Sequence, residues 1–173
     1  MRAQPFHLGH QHLVEHVMDD GKVPTIILGS AQESDTLKNP YTVNERAAMI
    51  RLVYPWIQIF SIEDKESEEK WISAVTELID HSPADPATIY IHEKDEDRYS
   101  FVYYGIQYSN EHYSKMYEVE GIEVEVLPTA EHDIRAQMIR EDLKSHKDFL
   151  DPKVYQYIKE LNVKKSKNTG YGI

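Results

Sequence analysis

Cysteine is absent from the 173 residues. Disulfides, thiolate zinc sites and cysteine nucleophiles are therefore excluded, as fits a reducing cytosol. No apolar run approaches the ~20 residues that span a bilayer, and no signal-peptide pattern opens the chain. A cytoplasmic protein without membrane contact is expected. Positive charge is scarce: 19 Lys and Arg stand against 30 Asp and Glu, a formal net charge of −11. A nucleic-acid footprint needs a basic face, which this balance does not readily supply. A small anionic ligand is compatible with it, provided a few cations converge on one pocket inside an acidic shell. Internal repeats and linkers are missing too. With 40% hydrophobic and 28% charged residues, the chain reads as one soluble domain able to bury a core.

What is there is concentrated at the start. Gln4-Pro5-Phe6-His7-Leu8-Gly9-His10 packs a turn, a small residue for close approach and two imidazoles into seven positions, and an apolar-periodic helix follows at once. Such a loop entering a helix suits a polyphosphate. The first helical amides are free donors, the dipole favours anions, and Gly9 lets a phosphate near the backbone. Imidazole adds a donor that can follow the charge developing on a leaving phosphate.

The remaining elements alternate. A helix over about 9–20 carries the stripe Leu13, Val14, Val17 and Met18 and closes at Gly21. Pro24 to Gly29 is short, apolar and β-branched, the mark of a buried parallel strand, and opens into the polar loop 30–36. Thr42 and Glu45 make a capping box for a helix whose stripe is Val43, Ala47, Ile50 and Tyr54. Strands are expected over 57–62, 88–92 and 123–127, and helices over 66–80, 134–143 and 152–161, with Asp151 capping the last. Part of Phe101 to Glu118 is read as helix. The expected fold class is α/β, a single doubly wound parallel-sheet domain over 1–163, followed by a disordered basic tail over 164–173.

Arg2-Ala3-Gln4-Pro5-Phe6-His7-Leu8-Gly9-His10 resembles the Gly-Arg-Phe-Gln-Pro-Phe-His-x-Gly-His signature of archaeal-type nicotinamide-nucleotide adenylyltransferases, within the wider nucleotidyltransferase superfamily. The likeness recurs in order along the chain. Gly29-Ser30-Ala31-Gln32, then Asn39-Pro40-Tyr41-Thr42 with Glu45-Arg46, is similar to that family's Gly-Ser-Ala-Gln and Asn-Pro-Phe-Thr…Glu-Arg segments. Asp64 and Trp71 match its nicotinamide-holding pair. His92-Glu93-Lys94-Asp95 looks like the Gly-His-x-Lys-Asp of members fused to Nudix domains. Ile134 to Arg140 stands at its Ile-Ser-x-Thr-x-Ile-Arg motif. Departures are Arg135 and Gln137 for Ser and Thr, Glu68 for Asn, Ala3 for a bulky apolar residue, and Lys38 for Arg. They bear on fine geometry and substrate choice more than on reaction class. Family members also carry a Val- and Ile-rich strand immediately before the signature. Here Met1 stands at the signature's glycine, so this central first strand is expected either upstream of the sequence given or lost from a broken sheet; we favour the first.

The resemblance implies adenylyl transfer from ATP to nicotinamide mononucleotide (NMN), giving NAD and pyrophosphate. His7, His10 and Arg140 would bind the triphosphate, with His10 aiding the transition state. Arg2 and Lys38 would hold phosphates of the two substrates. Trp71 would stack on the nicotinamide, Asp64 would bind its carboxamide, and Ser30 and Gln32 would contact ligand from the loop. Mg2+ would bridge phosphate oxygens, held largely by substrate and water. Relatives form symmetric assemblies, so a homo-oligomer is expected by resemblance alone.

Other readings stand beside this one. Without its context, His10 reads as a cap, Trp71 as core and Arg140 as a solvated cation. His12-Leu13-Val14-Glu15-His16 spells the His-x-x-Glu-His of inverted zinc proteases, yet the helix phase turns both histidines to the polar side and no third ligand is evident. A related nucleotidyltransferase with another phosphate acceptor, and a catalytically weak NAD or ATP sensor, are the functional alternatives.

Overall fold

The computed structural model describes residues 1–79, 87–92, 101–103, 106–108, 122–128 and 134–168. The first helix, α1 (Leu8–Asp19), begins directly after the Gln-Pro-Phe-His turn and ends where Gly21, at φ +73°, takes the left-handed cap. β1 (Thr25–Leu28) follows. It leads through the polar loop to α2 (Val43–Val53), whose start is fixed by the expected capping box. Glu45 N–H donates to Thr42 Oγ1 at 3.2 Å, and Thr42 N–H donates to Glu45 Oε2 at 2.8 Å. β2 (Gln58–Ser61) lies parallel to β1 in the register Thr25–Gln58 to Leu28–Ser61. The ladder runs on, Ile62 N–H donating to Leu28 O and Ala31 N–H to Ile62 O. α3 (Glu68–Leu78) is capped by Ser67.

β3 (Thr88–His92) and β6 (Glu123–Leu127) form a second parallel pair. Between them, β4 (Phe101–Tyr103) and β5 (Ile106–Tyr108) pair antiparallel. Of Phe101 to Glu118, part of which is expected as helix, residues 101–103 and 106–108 are strand, as their aromatic and branched composition suits. The remainder of that stretch lies outside the described residues, as do the Glu93-Lys94-Asp95 loop and residues 169–173. α4 (Ala136–Glu141) is short. α5 (Pro152–Asn168) has its first turn set by Asp151, whose carboxylate accepts from Lys153 N–H at 2.8 Å. Residues 164–168, expected in a disordered tail, continue this helix: no Gly or Pro interrupts it, and Lys165 is anchored at 2.9 Å to Asp35 and 3.0 Å to Glu45.

The architecture is a Rossmann-like α/β domain with helices on both sheet faces. Strand alternation sorts the side chains. Ile26 and Leu28 face one core with Phe6, Val14, Met49, Ile50, Ile139, Val154 and Ile158. Ile27, one residue out of phase, packs with Ile62, Ile72, Val75 and Ile122 on the other face. Among the described residues the parallel strands make two pairs rather than one continuous sheet. Met1 borders the seam: its amino group donates to Ile27 O at 2.7 Å, and Gly29 N–H donates to Met1 O at 2.9 Å. That is the parallel bridge a residue beside Leu28 would make. α1 ties the two pairs together. His16 Nε2 lies 3.1 Å from Glu125 Oε1, and Tyr90 OH donates to Asp20 Oδ2 at 2.8 Å. No described helix is long and apolar enough to cross a membrane.

Ile158 is 1% exposed where α5 packs into the first core. Ile158→Ala should lower unfolding stability by roughly 2–5 kcal/mol, the range for emptying a buried aliphatic site. The urea midpoint of the variant against the parent reads it.

Candidate active site

Three chain segments meet at the carboxyl end of β1. The first is the turn before α1. Phe6 is fully buried and stacks on the His10 ring at a centroid distance of 5.7 Å and an interplanar angle of 9°. His7, the N-cap of α1, lies 3.8 Å from His10 ring to ring, and its backbone N–H donates to His10 Nδ1 at 3.2 Å. Both imidazoles are thereby fixed over the amide end of α1. No acidic residue stands in that helix's first turn, so the positive end of the dipole is not already neutralised there. A Cβ at Gly9 would sit 3.1 Å from the His7 ring; the glycine lets that ring lie against the helix.

Gln4 and Arg140 hold this turn from behind. The Gln4 amide pairs both ways with the backbone of Tyr41: Nε2 donates to Tyr41 O at 2.8 Å, and Tyr41 N–H donates to Oε1 at 3.0 Å. Arg140 Nη1 donates to Gln4 O at 2.6 Å, which brings this cation to the same turn as the histidines. Burial lowers the Arg140 pKa, with Tyr41 and Glu141 opposing. Burial first, then Glu45, pushes the Tyr41 phenol up to about 12, so it stays protonated. On α4, Ile139 is buried and Arg140 faces inward, whereas Arg135 and Gln137 are exposed. The two departures at this motif, Arg135 and Gln137, are therefore exposed to solvent.

The second segment is the loop after β1, and the third is the loop after β2. Ser30 Oγ donates to Asp64 Oδ1 at 2.9 Å, and Gln32 Nε2 donates to Asp64 Oδ2 at 2.9 Å. Asp64 N–H returns a bond to Gln32 Oε1 at 3.0 Å. Trp71, half-buried on α3, lies against Gly29, where an added Cβ would stand 2.9 Å from Cη2 of the indole. Of the residues singled out from sequence, His7, His10 and Arg140 thus share one turn, and Ser30, Gln32, Asp64 and Trp71 share one loop cluster. Arg2 and Lys38 are exposed, and only the Arg2 carbonyl is drawn into the network.

Sequence reasoning gave no role to two cations, Arg46, quoted only within a family-like segment, and Lys165. Arg46 on α2 is fully buried and donates to three carbonyls: Nη1 to Arg2 O at 2.9 Å and Gly29 O at 2.8 Å, and Nη2 to Ser30 O at 3.1 Å. Burial lowers its pKa, while the Asp64 carboxylate acts the other way. The signal was its phase: 46 falls with 43, 50 and 53 on the helix face that the period assigns to the core. Lys165 of α5 also donates to Pro40 O at 2.6 Å, pinning the loop that carries Lys38.

The zinc-protease reading fails on geometry. His12 is exposed, and His16 pairs away from it, with Glu125 at 3.1 Å and Asp20 at 3.8 Å. Nor do the side chains at the His7–His10 turn form a magnesium cage. That hard cation wants oxygen ligands, whereas the turn that holds His7 and His10 offers imidazoles and a guanidinium.

A Rossmann-like domain with a His-x-Gly-His turn at a helix start, beside the carboxyl ends of parallel strands, defines the nucleotidyltransferase class of fold. The chain belongs to the cytidylyltransferase-like family, whose sequence profile matches residues 2–142. Curated relatives include the nicotinamide-nucleotide adenylyltransferases of Halorubrum lacusprofundi, 33% identical over 81 residues (44% of this chain, 46% of that protein), and Picrophilus torridus, 37% over 82 residues (44% and 48%). That of Saccharolobus solfataricus is 46% identical over 50 residues, 29% of each chain. The matched stretch thus spans about half the length of the first two relatives. Two structures of a Francisella tularensis bifunctional NMN adenylyltransferase/ADP ribose pyrophosphatase share the fold. One has a TM-score of 0.67 at 19% identity, covering 97% of this chain and 54% of that one. The other, complexed with AMP and Mn ion, has a TM-score of 0.65 at 18% identity, covering 98% and 53%.

Gly29→Ala forces the Trp71 ring to move. In a Trp56→Phe background, which leaves Trp71 as the single indole, tryptophan emission should shift to the red, with stability lowered by about 1–3 kcal/mol. Fluorescence and denaturant titration check both; an unchanged spectrum refutes the contact.

Proposed function

We propose that the chain transfers an adenylyl group from ATP to NMN, giving NAD and pyrophosphate. The observation that carries this is the meeting of two unlike half-sites at one strand end: an imidazole-lined helix start for phosphates, and an indole with an oriented carboxylate for a flat amide-bearing ring. A 5′-phosphate oxygen of NMN attacks the α-phosphorus of ATP in line. A new P–O bond forms as the bond to the β-phosphate oxygen breaks, and the electron pair leaves with pyrophosphate. The nucleophile is already an anion, so no covalent intermediate is required, and catalysis is positioning plus neutralisation of developing charge.

His7, His10 and Arg140 serve the triphosphate, and His10, locked by Phe6 and His7, meets the charge that grows on the leaving group. Arg2 and Lys38, exposed at the rim, take phosphates of the two substrates as these arrive. Asp64 accepts one bond at each oxygen from Ser30 and Gln32, so each oxygen keeps a lone pair for a carboxamide N–H. Trp71 supplies the stacking face. Magnesium enters with ATP as a companion of its phosphates, and no protein carboxylate at the turn is assigned to it. The AMP complex of the Francisella fold neighbour and the names of the archaeal relatives support the nucleotide substrates. By resemblance the reading extends to a cytoplasmic homo-oligomer built from one domain.

Incubation with ATP, Mg2+ and NMN, followed by an enzymatic NAD assay, tests the reading. NAD should form. Binding without product would favour a sensor, and neither result would point to another phosphate acceptor. His10→Ala should lower kcat at least a hundredfold, the ~2.7–4 kcal/mol of one positioned donor, while circular dichroism stays unchanged. A variant retaining a third of the activity would remove His10 from the mechanism.

A further inference from the structure

Two residues that are not glycine adopt left-handed backbone conformations at this strand end: Ala3 at φ +48° and Ser30 at φ +50°. A β-carbon disfavours that region, and such residues persist where their surroundings over-determine them. Both are buried. The peptide carbonyl just before each, Arg2 O and Gly29 O, accepts from the same nitrogen, Nη1 of Arg46, at 2.9 and 2.8 Å. Nη2 then takes Ser30 O at 3.1 Å, while Nε finds no acceptor among the described residues. A fully buried cation on α2 therefore spends its bonds on main-chain oxygens of the two segments that carry the half-sites. Arg2 lies five residues before His7. Gly29 is the floor for Trp71, and Ser30 orients Asp64.

We propose that Arg46 is a positioning residue for the reaction. Its guanidinium holds the peptides before Ala3 and Ser30 together, and so sets the spacing between the phosphate-binding turn and the nicotinamide-side cluster. This rests on the adenylyl-transfer reading. The helix itself supplies the reach: α2 is fixed at its start by the Thr42 box, and its core face is anchored by Met49 and Ile50, both fully buried. The rigid plane aims Nη1 between Arg2 O and Gly29 O while Nη2 adds Ser30 O, whereas a lysine ammonium, although it has three N–H donors, turns freely on a flexible stem and offers no second nitrogen. The consequence is specific. Each half-site keeps most of its own contacts when the fork is lost, but the attacking oxygen and the α-phosphorus no longer stand in line.

Arg46→Lys keeps the charge and removes the fork. Calorimetric Kd values for ATP alone and NMN alone should stay within about threefold of wild type, while kcat for NAD formation falls at least thirtyfold per folded enzyme. Unchanged kcat overturns the proposal. So does a parallel tenfold loss of both affinities, which marks a merely structural residue. Wild-type enzyme that forms no NAD defeats the reaction assignment instead. The bridge itself is then read in the wild-type protein by NMR of the Arg46 guanidinium, which serves equally if Arg46→Lys does not fold. Its resonances should respond to NMN alone and to ATP alone; a response to one ligand only, or to neither, overturns the bridge.

Discussion

A charged fork sealed under the end of a strand is the constraint the rest of the site answers to. Inside the protein a guanidinium costs desolvation unless its donors find acceptors, and Arg46 meets that demand with Arg2 O, Gly29 O and Ser30 O. Those oxygens belong to the peptides around the left-handed residues Ala3 and Ser30. The contacts of both half-sites lie beside these bends. The turn before α1 is delivered to the end of β1, Ser30 swings its hydroxyl onto Asp64, and Gly29 presents a bare backbone to Trp71.

Charge distribution follows a similar logic. The chain is acidic overall, yet Arg46 and Arg140 converge on main-chain carbonyls of the short segments beside His7 and His10. The Lys165 ammonium is taken up by Asp35 and Glu45 at the far side of the same loop. Lys165 also lowers the Asp35 pKa through the hydrogen bond and charge it offers, with Ser34 assisting. The hydrogen bonds of Arg46 and Arg140 at the strand end thus go to backbone oxygens, with Asp64 and Glu141 acting on them only through space, whereas the outer lysine bonds carboxylates directly. An anion would find its complement at the turn.

Much of this was legible from the residues. The stripe of α1, the Thr42–Glu45 box and the branched run before Gly29 each carry their own local physics, and the elements formed where that physics placed them. The pairing of Asp64 with Ser30 and Gln32 was foreshadowed only by resemblance, because no local rule joins residues 30 and 64. Arg46, quoted in a family-like segment, received no role because a cation on a helix looks solvated until its carbonyl partners, 16 to 44 positions away, are seen. Lys165 escaped because a basic stretch near a terminus reads as solvent-loving. Its partners Asp35 and Glu45 lie more than a hundred residues earlier. The aromatic stretch from Phe101 was hard to read because aromatic density fits helix and strand alike; in 101–103 and 106–108 cross-strand pairing decides for strand.

The strap formed by α5 has a bearing on how the molecule comes into being. Lys165 binds Asp35 and the Pro40 carbonyl across separations of 130 and 125 residues. Synthesis proceeds from the amino end, so the β1–α2 loop emerges from the ribosome long before its tether exists. The segment bearing Lys38 is therefore unfastened until α5 has left the exit tunnel and closed the buckle.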